Sequence, residues 1–563
     1  MLYDVSVLTS AECTSSPEAV VVLSHHQQFN ASQYLVDRHL DTPGAGGRPA
    51  VRAIVPDGVR ELDYETLARE VASVAAGLRA IGVRPEQRVL MCCSDGVELF
   101  TAILAAMRIG AVAVPVSTML RGPELAKLVI DSRAPVLVCS PEFGEVTRHA
   151  VALATEDRPD LFDVVVTPAN VPVTDPDPVA GYAVRTRSWA DLVAAGEGGD
   201  TSLYPTWDES PALWLYTSGT TGTPKAAMHR HADIRTICET YGARVLGIHP
   251  DDVCFSVAKL FFAYGIGNSM FFPLAVGASS VLAPGRPSPA AIAEVVTTHP
   301  VTLFYGSPSV YGPLLGSDLP DDTFARVRQG ISAGEALPAR MVVGMRDRFG
   351  VEVLDGIGST EALHIYLSNR PGQVVPGTSG VPVPGYEVEI RDDDGTVVPD
   401  GTKGTLYLRA DSLCTGYWCR TDVNRRVFEG EWMRTGDTYV RNPDGTYQCL
   451  GRTDDVLKVG GIWVTPMEVE ERLVLHPSVG EVVVVGIPDD DGLDRTVACV
   501  VPAEGAVVDP DALIAWCREG LASFKKPSHV LEIDAVPRTA TGKVQRFLVR
   551  ELAAARLGAL TRV

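Results

Sequence analysis

The chain has 563 residues, 46% of them hydrophobic and 21% charged, so it is ordinary for a globular protein and too long for one hydrophobic core; roughly two to four domains or subdomains are expected. A formal net charge of -21 argues against general binding to nucleic acid or to an anionic membrane, so an anionic ligand needs a local basic site. Eleven cysteines, an odd number with no C-x-x-C pair, give neither a disulfide framework nor a zinc pattern and point to reduced thiols in a cytoplasmic protein.

In chain order, residues 1–27 read as an extension. They lack a basic n-region, and the apolar run Ala19–Leu23 is too short for a signal segment or a membrane span. Residues 41–48 form a loop. Leu67, Val71, Val74 and Leu78 recur at three and four, which predicts a helix from Asp63 to Ile81, closed by Gly82. Arg88–Cys93, Ala111–Val116 and Val136–Cys139 are apolar strands, with helices over Val97–Ile109 and Gly122–Asp131 between them. This alternation predicts parallel β-α units with strands buried on both faces. Residues 155–200, rich in Pro, Asp and Thr, are expected to run over the surface. The alternation then repeats, with helices over about 231–246 and Gly265–Leu274, and strands over 252–257, 279–282 and 303–305. From 376 the texture changes to short alternating strands with Gly/Asp turns, at 387–390, 404–408 and 446–449. His229 and His231 are too few ligands for a metal and read as structural or surface residues.

One stretch stands out. After the apolar run Ala212–Leu215 come Tyr216, Thr217, Ser218, Gly219, Thr220, Thr221, Gly222, Thr223, Pro224 and Lys225. Glycines let backbone N–H groups turn toward an anion, and hydroxyls and a lysine add donors and charge, which is the chemistry of a phosphate-gripping loop. It is not a Walker A loop, because Pro224 stands where that motif needs glycine. Lysine is scarce, eight against 41 arginines, yet Lys225, Lys458 and Lys543 all fall in motif segments.

The stretch resembles the phosphate loop of the adenylate-forming superfamily, which includes acyl-CoA synthetases, peptide-synthetase adenylation domains and luciferases. Five further segments extend the likeness from about residue 29 to 548. They are Ser332–Pro338, Asp355–Glu361, Arg434–Asp437, Gly451–Asp455 with Lys458–Gly461, and Pro537–Lys543. Each alone is as well explained by a turn or surface loop; their order and spacing make the set specific.

The resemblance implies an α/β fold. A large N-terminal adenylation domain (28–452) would hold two layered β-α subdomains and a small β-barrel-like subdomain. A hinge (453–455, with Asp454) would join it to a mobile small α+β C-terminal domain (456–563). It implies that Gly334, Glu335 and Ala336 form the adenine-stacking turn, that Asp355 accepts from the adenine amino group beside Gly356, and that Thr360 donates to the α-phosphate. Glu361 would hold Mg²⁺, Asp437 would accept the ribose hydroxyls with Arg452 as a fixed cation nearby, and Lys543 would be the catalytic lysine. ATP and coenzyme A are the implied co-substrates. The Gly460–Gly461 turn, equally a tight hairpin, would leave room for the thiol arm.

Lys259–Asn268 and Gly356–Ile365 most resemble benzoate-CoA ligases, which implies a small aromatic acid as substrate and an aryl pocket lined by Phe262, Ala263, Tyr264, Gly334, Ile357, Gly358 and His364. Read from the residues alone, Phe261, Phe262 and Tyr264 favour plain core packing. Ala362 replaces the larger Met of that subgroup, which leaves room for a ring substituent. Four alternatives stay open: a substituted-benzoate (hydroxy or amino) CoA ligase, an aryl-acid ligase that loads an acyl carrier protein instead of CoA, a catalytically silent ATP sensor, and a luciferase-like oxygenase. Acetylation of Lys543 by a lysine acetyltransferase is a further implied partner relation. The oligomeric expectation is a monomer or homodimer, with no nucleic-acid or membrane partner.

Overall fold

The computed structural model describes residues 27–157, 160–172, 179–218, 224–452, 457–459, 462–464, 466–488, 494–521, 525–538 and 544–560. Two sheets dominate the larger part. The first has seven strands in the order 185–188, 163–166, 136–139, 88–92, 112–115, 211–218, 224–230. All neighbours are parallel except the last pair, which is an antiparallel hairpin. The second has nine strands in the order 381–382, 365–368, 353–358, 329–332, 303–306, 253–256, 279–282, 49–55, 58–63.

Side-chain alternation along buried strands explains the layering. Val89 and Met91 face the principal core, while Leu90 and Cys92 face a second core under the helices Gly122–Ser132 and Gly144–Asp157. The principal core also takes Cys254, Leu303, Tyr305 and Ile331 from the second sheet, so the two sheets share it. The helix Val97–Arg108 belongs to that shared layer, and every one of its residues is buried. Phe304, Val281 and Val353 face the opposite side of the second sheet, against the helices Pro289–Thr298, Pro308–Leu315 and Ala339–Phe349.

The expected helices and strands are present with ends moved by one to three residues. The helix Tyr64–Ala80 starts where Asp63 accepts from the Thr66 amide at 2.7 Å, a side-chain cap on an otherwise unpaired donor. Residues 155–200 do not simply run over the surface. Asp163–Val166 is a wholly buried strand, Arg185–Ser188 pairs beside it, and Trp189–Ala195 is a helix. Its buried Asp163 is paired with both Arg185 and Arg187, which lets a carboxylate enter the sheet. A second departure is that the hairpin 49–63 joins the second sheet, Val51 pairing with Ser280, although the chain then builds the first.

The strands 387–391, 403–409, 428–429, 432–441 and 447–452 form a five-stranded antiparallel sheet, at the place of the expected small β subdomain. The C-terminal part has a three-stranded sheet, 479–488, 494–502 and 529–532, with its own buried clusters under the helices 466–473, 510–520 and 546–560. Among the described residues no helix is long and apolar enough to cross a membrane.

Candidate active site

The described ends of the expected phosphate-loop segment, Tyr216–Ser218 and Pro224–Lys225, lie on the two strands of the hairpin that edges the first sheet. Its strands run Pro211–Ser218 and Pro224–Arg230, with Thr217 opposite Lys225 and Ser218 opposite Pro224. The outgoing strand therefore reaches further into the motif than the apolar run Ala212–Leu215 suggests. Gly219, Thr220, Thr221, Gly222 and Thr223 lie outside the described residues, as do Asp454, Gly460, Gly461 and Lys543.

Lys225 is half-buried, and desolvation lowers its pKa against the opposing charge of Glu361; Arg426, Arg452 and Arg420 also lower it. Lys225 and Glu361 thus share one neighbourhood although they come from different sheets. Glu361 follows the strand Val353–Gly358 in a turn pinned from three sides. The Tyr417 hydroxyl donates to Glu361 Oε1 at 2.6 Å, and the Cys414 amide donates to the Glu361 carbonyl at 2.8 Å. His229 Nε2 lies 2.8 Å from the Thr360 carbonyl, and its Nδ1 lies 3.0 Å from Asp233 Oδ2. His229 and His231 are both buried and structural, and among the described residues no group of three or more His, Cys, Asp or Glu could hold a metal. A single carboxylate beside a lysine is nevertheless a donor set that fits Mg²⁺ where phosphates supply its remaining ligands.

The turn is strained. Leu363 has φ +66°, a left-handed conformation costly for a large side chain, and it separates Glu361 from His364. The strand before it needs its glycines. A Cβ on Gly358 would stand 2.5 Å from the His364 carbonyl oxygen, and one on Gly356 2.7 Å from that of Leu367, because the strand Ile365–Ser368 folds back directly over them.

Asp355 is buried in the same strand. Its Oδ2 accepts from the Leu337 amide at 3.3 Å, which ties it to the Gly334–Ala336 turn. Its Oδ1 has no partner. Burial pushes its pKa up to about 8, against the Leu337 amide and Ser332 hydroxyl, which pull it down. An unpaired buried acceptor at that place fits a ligand donor such as an exocyclic amine. Gly334 takes φ +97° at an exposed bend, with Glu335 exposed and Ala336 half-buried beside it.

Asp437 and Arg452 are register partners on adjacent strands, joined by a 2.9 Å ion pair. The phenol of Tyr366 lies within electrostatic reach of this pair and of Glu361. It is wholly buried without a hydrogen-bond partner, and its pKa is raised by desolvation first and then by Asp437, Cys449 and Glu361, with Arg452 opposing.

Of the expected aryl-pocket residues, Tyr264 and His364 lie ring to ring, and the His364 carbonyl stands against Gly358. Ala263 is buried, and Phe262, Tyr264, Ile357 and Gly358 are partly buried. The Tyr264 hydroxyl donates to the carbonyls of Gly306 (3.1 Å) and Ile331 (3.0 Å), so its ring is held at the ends of two central strands. His364 is buried among the rings of Tyr241, Tyr264 and Phe272, with centroids 5.3, 5.6 and 4.5 Å away. Its Nε2 meets Asn268 Oδ1 at 3.1 Å. Tyr241 and Asn268 are carried by π-helical stretches, Cys238–Val245 and Gly267–Phe271, in helices that the sequence reads as regular. His364 Nδ1, Asn268 Nδ2 and the Tyr241 hydroxyl lack partners. Ala362 is fully buried in the principal core.

Tyr417, Tyr366 and Tyr241 are absent from the sequence expectation, His229 enters it only as a structural or surface residue, and Asn268 only as the end of a motif segment. Only the His229/Asp233 pair leaves a local signal, a four-residue spacing at a helix start. Tyr417 reaches Glu361 across 56 positions of chain, which no spacing rule finds.

The whole arrangement has known relatives. Residues 42–418 match the AMP-binding enzyme model, and residues 468–543 match the AMP-binding enzyme C-terminal domain. The chain is 40% identical over 550 residues to a benzoate–CoA ligase of Thauera aromatica, covering 96% of this chain and 99% of the relative. It is 38% identical over 536 residues to a 4-hydroxybenzoate–CoA/benzoate–CoA ligase of Rhodopseudomonas palustris, covering 93% and 94%. Among solved structures, a benzoate CoA ligase from Burkholderia xenovorans LB400 superposes with TM-score 0.80 at 37% identity, over 93% of this chain and 100% of that one. The anthranilate CoA ligase AuaEII in complex with anthranoyl-AMP gives 0.84 at 34% identity, over 94% and 98%. The chain belongs to the AMP-binding enzyme family.

Proposed function

We propose that the protein is an ATP-dependent benzoate-CoA ligase that works in two half-reactions at one site. What carries the reading is that the likeness to a benzoate–CoA ligase runs nearly the full length of both chains. In the first half-reaction a carboxylate oxygen attacks the α-phosphorus of ATP, the bond to the β-phosphate breaks, and aryl-AMP and pyrophosphate form. In the second, the CoA sulfur attacks the aryl carbonyl, its proton leaves to solvent, and AMP departs.

The residues take the following roles. Thr217, Ser218, the loop 219–223 and Lys225 grip the leaving pyrophosphate. Lys543 neutralises the approach of two anions, and Thr360 donates to the α-phosphate. Asp355 accepts from adenine beside the Gly334–Ala336 turn. Asp437 and Arg452 hold the ribose. Glu361 would hold Mg²⁺, which supplies charge shielding for the triphosphate. Phe262, Ala263, Tyr264, Ile357, Gly358 and His364 surround the ring. The hinge at Asp454 exchanges Lys543 for the Gly460–Gly461 turn between half-reactions, so the domain boundaries fall at 452 and 456. Ten described cysteines are free, which fits a reducing compartment such as the cytoplasm.

Substituted benzoates are a second reading. Three unpaired polar atoms, on His364, Asn268 and Tyr241, stand beside the residues assigned to the ring and would meet a hydroxyl or amino substituent. The test is product analysis with benzoate, hydroxybenzoates, 2-aminobenzoate, octanoate and acetate, each with ATP, Mg²⁺ and CoA or a phosphopantetheinylated carrier. An aryl-CoA thioester and AMP are expected. Lys543→Ala should lose the adenylate but still convert supplied benzoyl-AMP to benzoyl-CoA. Faster reaction with the carrier than with CoA, or equal loss of both halves in the variant, contradicts the reading.

A further inference from the structure

Tyr417 touches both Lys225, assigned to the phosphates, and Glu361, assigned to Mg²⁺. Its hydroxyl donates to Glu361 Oε1 at 2.6 Å, a short charge-assisted contact of the stronger class. Its ring lies under Lys225, whose Nζ is 5.0 Å from the centroid, within cation–π range.

The side chain has little freedom of its own. It is 4% exposed and packs against Cys414, Ala227 and the ring of Phe428. The Tyr417 amide donates to Asn424 Oδ1 at 2.8 Å, and Asn424 Nδ2 donates back to the Tyr417 carbonyl at 3.0 Å. The segment around it runs along the return strand of the phosphate-loop hairpin. Thr415 donates to Met228, Met228 to Gly416 and Trp418 to Ala226, at 2.9, 3.0 and 3.0 Å. Tyr417 is thus fixed to the strand that carries Lys225, while its hydroxyl holds a carboxylate from the other sheet.

A carboxylate that holds a metal beside a triphosphate must present one oxygen in a fixed direction. A donor that occupies the other oxygen fixes the carboxylate plane, which is how outer-shell partners orient metal ligands. We infer that Tyr417 is a positioning residue for the adenylation half-reaction, setting the Glu361 carboxylate as a metal ligand and seating Lys225 against the same phosphates. The inference rests on the assignment of Glu361 to Mg²⁺ under the proposed function. Its consequence is a division of labour: Tyr417 serves the step that handles pyrophosphate and is silent in the thioester step, which has no triphosphate.

The test uses the full-length enzyme and Tyr417→Phe, which keeps the ring and its packing and removes only the hydroxyl. Binding of Mn²⁺ to the enzyme with a non-hydrolysable ATP analogue is followed by electron paramagnetic resonance. Metal affinity is expected to fall about 10- to 100-fold. The Mg²⁺ midpoint of pyrophosphate exchange is expected to rise by a similar factor, while benzoyl-CoA formation from supplied benzoyl-AMP stays at the wild-type rate. In Glu361→Gln, adding Tyr417→Phe should change metal affinity no further, because the hydroxyl acts through that carboxylate. Unchanged metal affinity in Tyr417→Phe, additive losses in the double variant, or equal loss of both half-reactions would overturn the inference. The Mn²⁺ titration needs no acid substrate, so it decides the role of Tyr417 even if aryl acids prove not to be the substrate.

Discussion

Asp355 pays for its place in the core. Its carboxyl is buried with Oδ1 unpaired, and burial lifts its pKa to about 8 from an ordinary 3.8. Between those values the folded protein keeps a proton that the unfolded chain has released. The contribution of Asp355 to stability therefore falls as pH rises from about 4 to 8 and is flat above, a cost on the order of 5 kcal/mol. Asp355→Asn keeps an acceptor for the Leu337 amide and removes the titration. Its melting temperature should gain on the wild type progressively between pH 5 and pH 8. A gain independent of pH would show that the carboxyl is not the titrating cost. A residue that destabilises the free protein fits a ligand site, because a donor on the nucleotide would complete the missing hydrogen bond.

At the scale of elements, the helix His231–Ile237 and the N-terminal helix Ala31–Leu35 are tied by one imidazole. The Ala31 amide donates to His231 Nδ1 at 3.0 Å, and burial pushes the His231 pKa down to about 3. The folded pKa is below the unfolded 6.5, so this contribution is complete above about pH 6.5 and is lost as pH falls toward 3. His231→Gln should lower stability at pH 7 and flatten the acid-side loss between pH 6.5 and 4, read by urea unfolding at several pH values. An unchanged slope would rule His231 out as a source of acid sensitivity. His364, also driven to about 3 by burial, has the same sign and remains in that variant.

Much of the element pattern was legible in the sequence, since period-three-and-four and all-apolar runs mark helices and doubly buried strands. The strand Asp163–Val166 was hidden because its single carboxylate and polar surroundings mask three valines, and its arginine partners lie more than twenty positions on. The π-helical stretches at Tyr241 and Asn268 were hidden because widening a turn leaves no mark on the apolar period.

For the whole molecule, charge is distributed against its average. A chain of net charge -21 gathers Arg420, Arg426 and Arg452, with Glu361, around Lys225, a local concentration of cations that suits an anionic nucleotide. Motif order in the sequence pointed to Glu361, Asp437 and Arg452; the fold pairs the last two and leaves all three within electrostatic reach of the buried Tyr366 phenol. Sequence order could not supply the residues that hold them, such as Tyr417 and His229, because those contacts depend on how the two sheets face each other.

The central claim is that an aryl carboxylate is activated on ATP at this site, and acid-dependent exchange of labelled pyrophosphate into ATP, measured without CoA, tests it most directly. Exchange that requires Mg²⁺ and is fastest with benzoate or a substituted benzoate is the predicted result. Exchange driven best by acetate or octanoate, or none with any aryl acid, would contradict it.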